Sequence, residues 1–174
     1  MEIAQAQQDV RTIYRGGGVG ALVSAVVWAV AAAIGQWVDM DLAVVVLFVG
    51  GALIFPIGSL VLRLLGGPAA LPSGHPMIGL AMQAAFIVPI GVILAALVFS
   101  ERPEWFFPFA ACMVGAHYLP FIFLYGMKEY GVLAAVLVVL GLGLVFEPQG
   151  VTTAAWITAG VELTVSPLLL RRGR

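Results

Sequence analysis

Leu42–Leu65 reads LAVVVLFVGGALIFPIGSLVLRLL, twenty-four residues in which Arg63, near the end, carries the only charge. About 20 apolar residues in a helix cross the ~30 Å hydrocarbon core of a bilayer. This stretch is therefore a membrane span, and the chain around it repeats the pattern. Comparable apolar runs cover Gly17–Trp37, Met77–Phe99, Trp105–Gly126, Tyr130–Phe146 and Val151–Leu170. None alternates polar and apolar residues as the strands of a membrane barrel do. The fold expected is an all-α, polytopic membrane protein, a bundle of six transmembrane helices forming one integral membrane domain over residues 1–174.

Composition agrees. Of 174 residues, 62% are hydrophobic, and eight basic and nine acidic side chains are too few to coat a soluble domain. The mean hydropathy is +1.09. A net charge of −1 argues against nucleic acid as a partner. Cys112 is the single cysteine, so no intramolecular disulfide can form. The first run is preceded by Arg11 and Arg15, as in a signal peptide, but it continues to Trp37 and is read as a retained span. Upstream of it, Ile3, Ala6, Val10 and Ile13 recur at spacings of three and four. Residues 1–15 are then either a short amphipathic helix on the membrane surface or a frayed tail.

Orientation follows from the basic residues. With six spans, Arg11, Arg15, Arg63, Lys128, Arg171, Arg172 and Arg174 fall on one side and only Arg102 on the other. The positive-inside rule puts both termini in the cytoplasm. Trp37 and Trp105 fall at the outer boundary and Tyr125 and Tyr130 at the inner one, positions suited to headgroup anchoring. Trp28 and Trp156 lie within spans and read as packing residues. The longest loop, GGPAALPSGHP over Gly66–Pro76, contains His75, which is expected to be solvated.

Prolines at 56, 89, 108, 120 and 167 interrupt spans and free backbone carbonyls. Small-residue stripes at Gly16, Gly20 and Ser24 and at Ala111 and Gly115 permit close helix approach, within the chain or in a homo-oligomer. The pattern G-x-x-x-x-P-x-G occurs at Gly51–Gly58 and Gly143–Gly150, in spans of opposite direction. An inverted three-plus-three repeat is conceivable on that basis, but Ala84–Gly91 matches nearly as well, and chance is the simpler reading.

One residue has no business in hydrocarbon. Glu162 lies halfway along the sixth run, and a carboxylate there costs on the order of 3 kcal/mol. It must be protonated, paired or wet. His117 lies ~18 Å and Glu162 ~17 Å from the outer ends of parallel spans at 1.5 Å per residue, so a His117–Glu162 pair is expected if the helices are adjacent and suitably rotated. Gln83 and Tyr118 are further candidates for a polar binding site, and Thr158 and Ser166 share the face of Glu162. A metal or haem site is not expected, because no ligand spacing supports one and His117 is the only histidine within a span. No nucleophile elbow is present, so an enzyme is the less favoured class.

The segments SGHPMIGLAMQ (Ser73–Gln83) and HYLPFIFLYGMKEY (His117–Tyr130) resemble those of a family of small bacterial multipass membrane proteins with no assigned function. The resemblance implies a bacterial inner-membrane protein and brings no activity, cofactor or site residue. Three functions fit these features. The first is movement of a small solute or proton through a midplane site at Glu162 and His117, with Gln83 and Tyr118 nearby. The second is a non-transporting bundle that binds lipid or a partner membrane protein. The third is an intramembrane enzyme acting on a lipid or quinone.

Overall fold

A computed structural model describes residues 2–147 and 149–173. Two residues used above, Pro148 of the repeated pattern and Arg174 of the basic set, lie outside the described residues. Among the described residues the chain forms seven α-helices and no strand. They are α1 (Ile3–Ile13), α2 (Gly18–Trp37), α3 (Met40–Leu64), α4 (Ile78–Phe99), α5 (Phe106–Tyr125), α6 (Glu129–Phe146) and α7 (Thr153–Arg172). Six of them, α2 to α7, are long and apolar enough to span a bilayer. Their ends fall within two residues of the apolar runs. Even α6, with 18 residues, is ~27 Å long.

Local chemistry sets the ends. Asp39 caps α3, its carboxylate accepting from the Leu42 amide at 2.7 Å. Gly126 stops α5 in a left-handed conformation (φ 62°) that an L side chain disfavours. Pro108 sits in the first turn of α5, where no intrahelical bond is lost, so it does not interrupt that span as its sequence position suggested. Pro56, Pro89, Pro120 and Pro167 do lie inside helices.

Helix α2 packs most closely on α3 and α7, and α5 on α6 and α4. Contacts of α3 with α4 and of α6 with α7 are lighter. The packing is thus nearly unchanged when α2–α4 are exchanged with α5–α7. The sequence pattern does not carry this symmetry, since Gly51 is midway along α3 and Gly143 is in the last turn of α6. The symmetry is broken where α5 also meets α7. Glycines make the tight seams. A Cβ on Gly18 would lie 2.8 Å from the Ser166 carbonyl oxygen, and one on Gly115 would lie 3.0 Å from that of Ala134. Of the small-residue stripes, Gly115 is used within the chain in this way and so is Gly16, where a Cβ would collide with the Leu169 carbonyl, whereas Gly20 has nothing within 4 Å.

The first and last described residues lie at one end of the bundle, where Gly173 packs on Arg15 and Gly16. That end is capped by protein. Helix α1 is the short amphipathic helix and not a frayed tail, and its Ala6 and Val10 are buried in the main core cluster. Gln7 donates to the Phe123 carbonyl at 2.6 Å. The loop of residues 66–76 lies beside α1. Tyr14 Oη accepts from the Leu71 amide at 3.3 Å, and Arg15 donates to the Leu65 carbonyl at 3.0 Å. His75 is buried, not solvated. Its Nδ1 accepts from the Met77 amide at 3.2 Å, and its Nε2 faces Asp9 of α1 at 3.5 Å. Docking of α1 removes this histidine from water.

Candidate functional site

Helix α7 presents a buried stripe of Ala155, Thr158, Ala159, Glu162, Ser166 and Leu169 at spacings of three and four. The stripe faces α2, and Ser166 Oγ donates to the Gly18 carbonyl at 2.9 Å. One turn along, Glu162 enters the place where α2, α5 and α7 meet. It is 0% exposed. Its Oε1 accepts from the Tyr118 hydroxyl of α5 at 2.6 Å. Its Oε2 has no hydrogen-bond partner, and neither has Thr158 Oγ1, one turn away and equally buried. Thr164, by contrast, donates back to the Val161 carbonyl at 2.8 Å. Ser24 of α2 is buried close to both Glu162 and Tyr118 without meeting hydrogen-bond geometry with either. Among the described residues no lysine, arginine or histidine forms an ion pair with Glu162.

An aromatic column leads from this acid toward the end bearing the termini. Tyr118 stacks on Tyr130 with ring centroids 5.7 Å apart and 27° between planes. Tyr130 lies 5.1 Å from Tyr125 and 5.2 Å from Phe121. The Tyr130 hydroxyl donates to the Gly16 carbonyl at 2.7 Å. Tyr125 and Tyr130 are therefore buried inside the bundle and do not anchor in headgroups. The turn that receives them, Arg15–Gly17, has positive φ at all three residues. A Cβ on Gly17 would collide with the Tyr130 hydroxyl, so this turn and the tyrosine fit only because residue 17 is glycine.

The candidate residues separate into three places. Tyr118 and Glu162 are brought together. His117 is not with them. It turns to the α4–α5 seam, its Nδ1 2.7 Å from the Ala84 carbonyl and its ring edge-on to Phe121 at 4.6 Å. A carbonyl only accepts, so Nδ1 carries the proton. The matched depths of His117 and Glu162 located the correct level of the bundle, but adjacent helix residues diverge by about 100°, and it is residue 118 that faces α7. Gln83 is on the exposed face of α4, while its neighbour Ala84 is buried. The sequence marks Ser24 as a small packing residue and as a nucleophile by residue type alone, not as a neighbour of Glu162. Its place on a buried α2 face opposite an acid has no one-dimensional signal.

Comparison with curated proteins and with solved structures finds no match. A family model does match, over residues 3–172, which include the acid, the tyrosine column and the capping helix. On that match the chain belongs to DUF7010, a family of unknown function whose member here is a multipass membrane bundle of six long apolar helices.

Proposed function

We propose that this protein moves protons across the membrane by way of the enclosed carboxyl of Glu162, held by Tyr118. The observation that carries this reading is the pair of unfilled oxygens, Glu162 Oε2 and Thr158 Oγ1, in a site closed to solvent. An acid kept only to pin helices together gains from having both oxygens bonded, since each buried orphan costs about 1–3 kcal/mol. Here one carboxyl oxygen has no partner, and a buried, unbonded hydroxyl lies one helical turn away. With no basic side chain paired to it among the described residues, the carboxyl is neutral only when it holds a proton. Full burial of the carboxyl and of the Thr158 hydroxyl favours a proton over an organic solute.

Two prolines flank the site. Pro120 is two residues beyond Tyr118, and Pro167 is five beyond Glu162. Each lacks an N–H, leaving the Ala116 and Leu163 carbonyls without their usual donors. The two helices that carry the bonded pair are therefore able to hinge beside it. The basic end with both termini is assigned to the cytoplasm by the positive-inside rule, and the family resemblance points to a bacterial inner membrane.

The test is proton flux in proteoliposomes loaded with a pH-sensitive dye, with the membrane potential clamped. Wild type should dissipate an imposed gradient about tenfold faster than Glu162→Gln, equivalent to about 1.4 kcal/mol in the barrier. Identical rates for the two proteins across roughly pH 5–8, the range where physiological switches titrate, would remove the proposal and leave a sealed bundle.

A further inference from the structure

A second site lies on the lipid-facing surface, away from Glu162. The last three turns of α3 and the loop of residues 66–76 form a groove of about 330 Å³. Its walls include Phe55, Ser59, Leu60 and Arg63 from α3 and Ala69 and Ala70 from the loop. The loop wall is fixed. Ala69 adopts a positive φ of 55° yet is 1% exposed, packed with Val19 and Leu62. The Tyr14–Leu71 and Arg15–Leu65 bonds hold the loop on either side of it. A non-glycine residue in that conformation is held there by its surroundings.

The polar groups of this groove are ordered by depth. Arg63, one residue from the end of α3, is exposed and forms no ion pair among the described residues. Ser59 is one turn deeper on the same face. Phe55, 62% exposed, is two turns deeper, ~12 Å from Arg63 along the axis. The sequence of cation, hydroxyl and apolar wall follows that of a phospholipid from phosphate to acyl chain. Arg15 is engaged with the Leu65 carbonyl and is not in the groove wall, so Arg63 is the lining group that can meet an anion.

We propose that this groove binds an anionic phospholipid, its headgroup phosphate on Arg63 and Ser59 and an acyl chain along Leu60 and Phe55. This is independent of proton movement at Glu162. The experiment is binding of phosphatidylglycerol and phosphatidylcholine to the purified full chain in detergent, read by native mass spectrometry. Wild type should bind phosphatidylglycerol about tenfold more tightly, the advantage of a charge-assisted contact. Arg63→Gln should remove that preference and Arg63→Lys keep most of it. Leu60→Trp, at an exposed position, should weaken both lipids by filling the groove. Arg171→Gln, at the same end but outside the groove, should change binding by less than about twofold, as for an isolated surface charge. Equal binding of the two lipids to wild type would overturn the site. So would an equal loss in Arg171→Gln, or full competition by the water-soluble headgroup without its chains.

Discussion

Replacing Tyr118 by Phe removes one oxygen and leaves the ring that stacks on Tyr130 at 5.7 Å and meets Phe121 at 5.7 Å. What is lost is the single hydrogen bond to Glu162. Side-chain hydrogen bonds between membrane helices average about 0.6 kcal/mol and reach about 1.7. The Tyr118–Glu162 bond belongs near the upper figure. It is short at 2.6 Å, both groups are enclosed, and the other carboxyl oxygen has no partner to fall back on. We expect Tyr118→Phe to destabilise the fold by about 1.5 kcal/mol, measured as a shift in the unfolding equilibrium in mixed micelles of rising SDS content. In a Glu162→Leu background the Tyr118 hydroxyl is itself orphaned, so removing it there should cost nothing or stabilise. The coupling from this double-mutant cycle should therefore be about 1.5 kcal/mol. A coupling below about 0.3 kcal/mol, the usual additivity error, would show that the two side chains do not depend on each other and that the geometry of the site has been misjudged.

Other perturbations separate the parts of the molecule. Gly17→Ala combines a positive φ of 76° with a collision on the Tyr130 hydroxyl and should cost about 2 kcal/mol or more by the same titration, whereas Gly20→Ala meets nothing within 4 Å and should be neutral or mildly stabilising. His117→Ala deletes the link to the Ala84 carbonyl and should lower stability by about 1 kcal/mol while leaving proton flux within about twofold of wild type. His75→Ala removes the buried contact between the loop and Asp9 of α1. Hydrogen exchange in α1 should then quicken about tenfold while α5 and α7 are unaffected, as for a local opening eased by about 1.4 kcal/mol.

The spans were legible because a bilayer imposes a length, and LAVVVLFVGGALIFPIGSLVLRLL meets it without ambiguity. Glu162 was legible because a carboxyl in such a run always needs an explanation. Rotation was not. In a soluble helix the polar face marks the outside, but in lipid both faces are apolar, so nothing in α4 or α5 states which side meets protein. That is why Gln83, a polar residue expected inward, is exposed, and why the acid's partner is Tyr118 and not its neighbour His117. Tyr125 and Tyr130 were read as headgroup anchors from their position at span ends. The docking of α1 and the Arg15–Gly17 turn over that end makes them interior. The burial of His75 has the same origin, since its partner Asp9 is 66 residues away in sequence and only the tertiary fold joins them.

The most direct test of the account is infrared difference spectroscopy of the reconstituted protein as the bath is switched from H2O to D2O. The side-chain band of residue 162 is identified as the one lost in Glu162→Gln. If the acid is a working site, that band responds to the isotope while the bundle remains folded. A band that stays unchanged until the protein is unfolded would show a sealed structural acid, and proton movement through it would have to be abandoned.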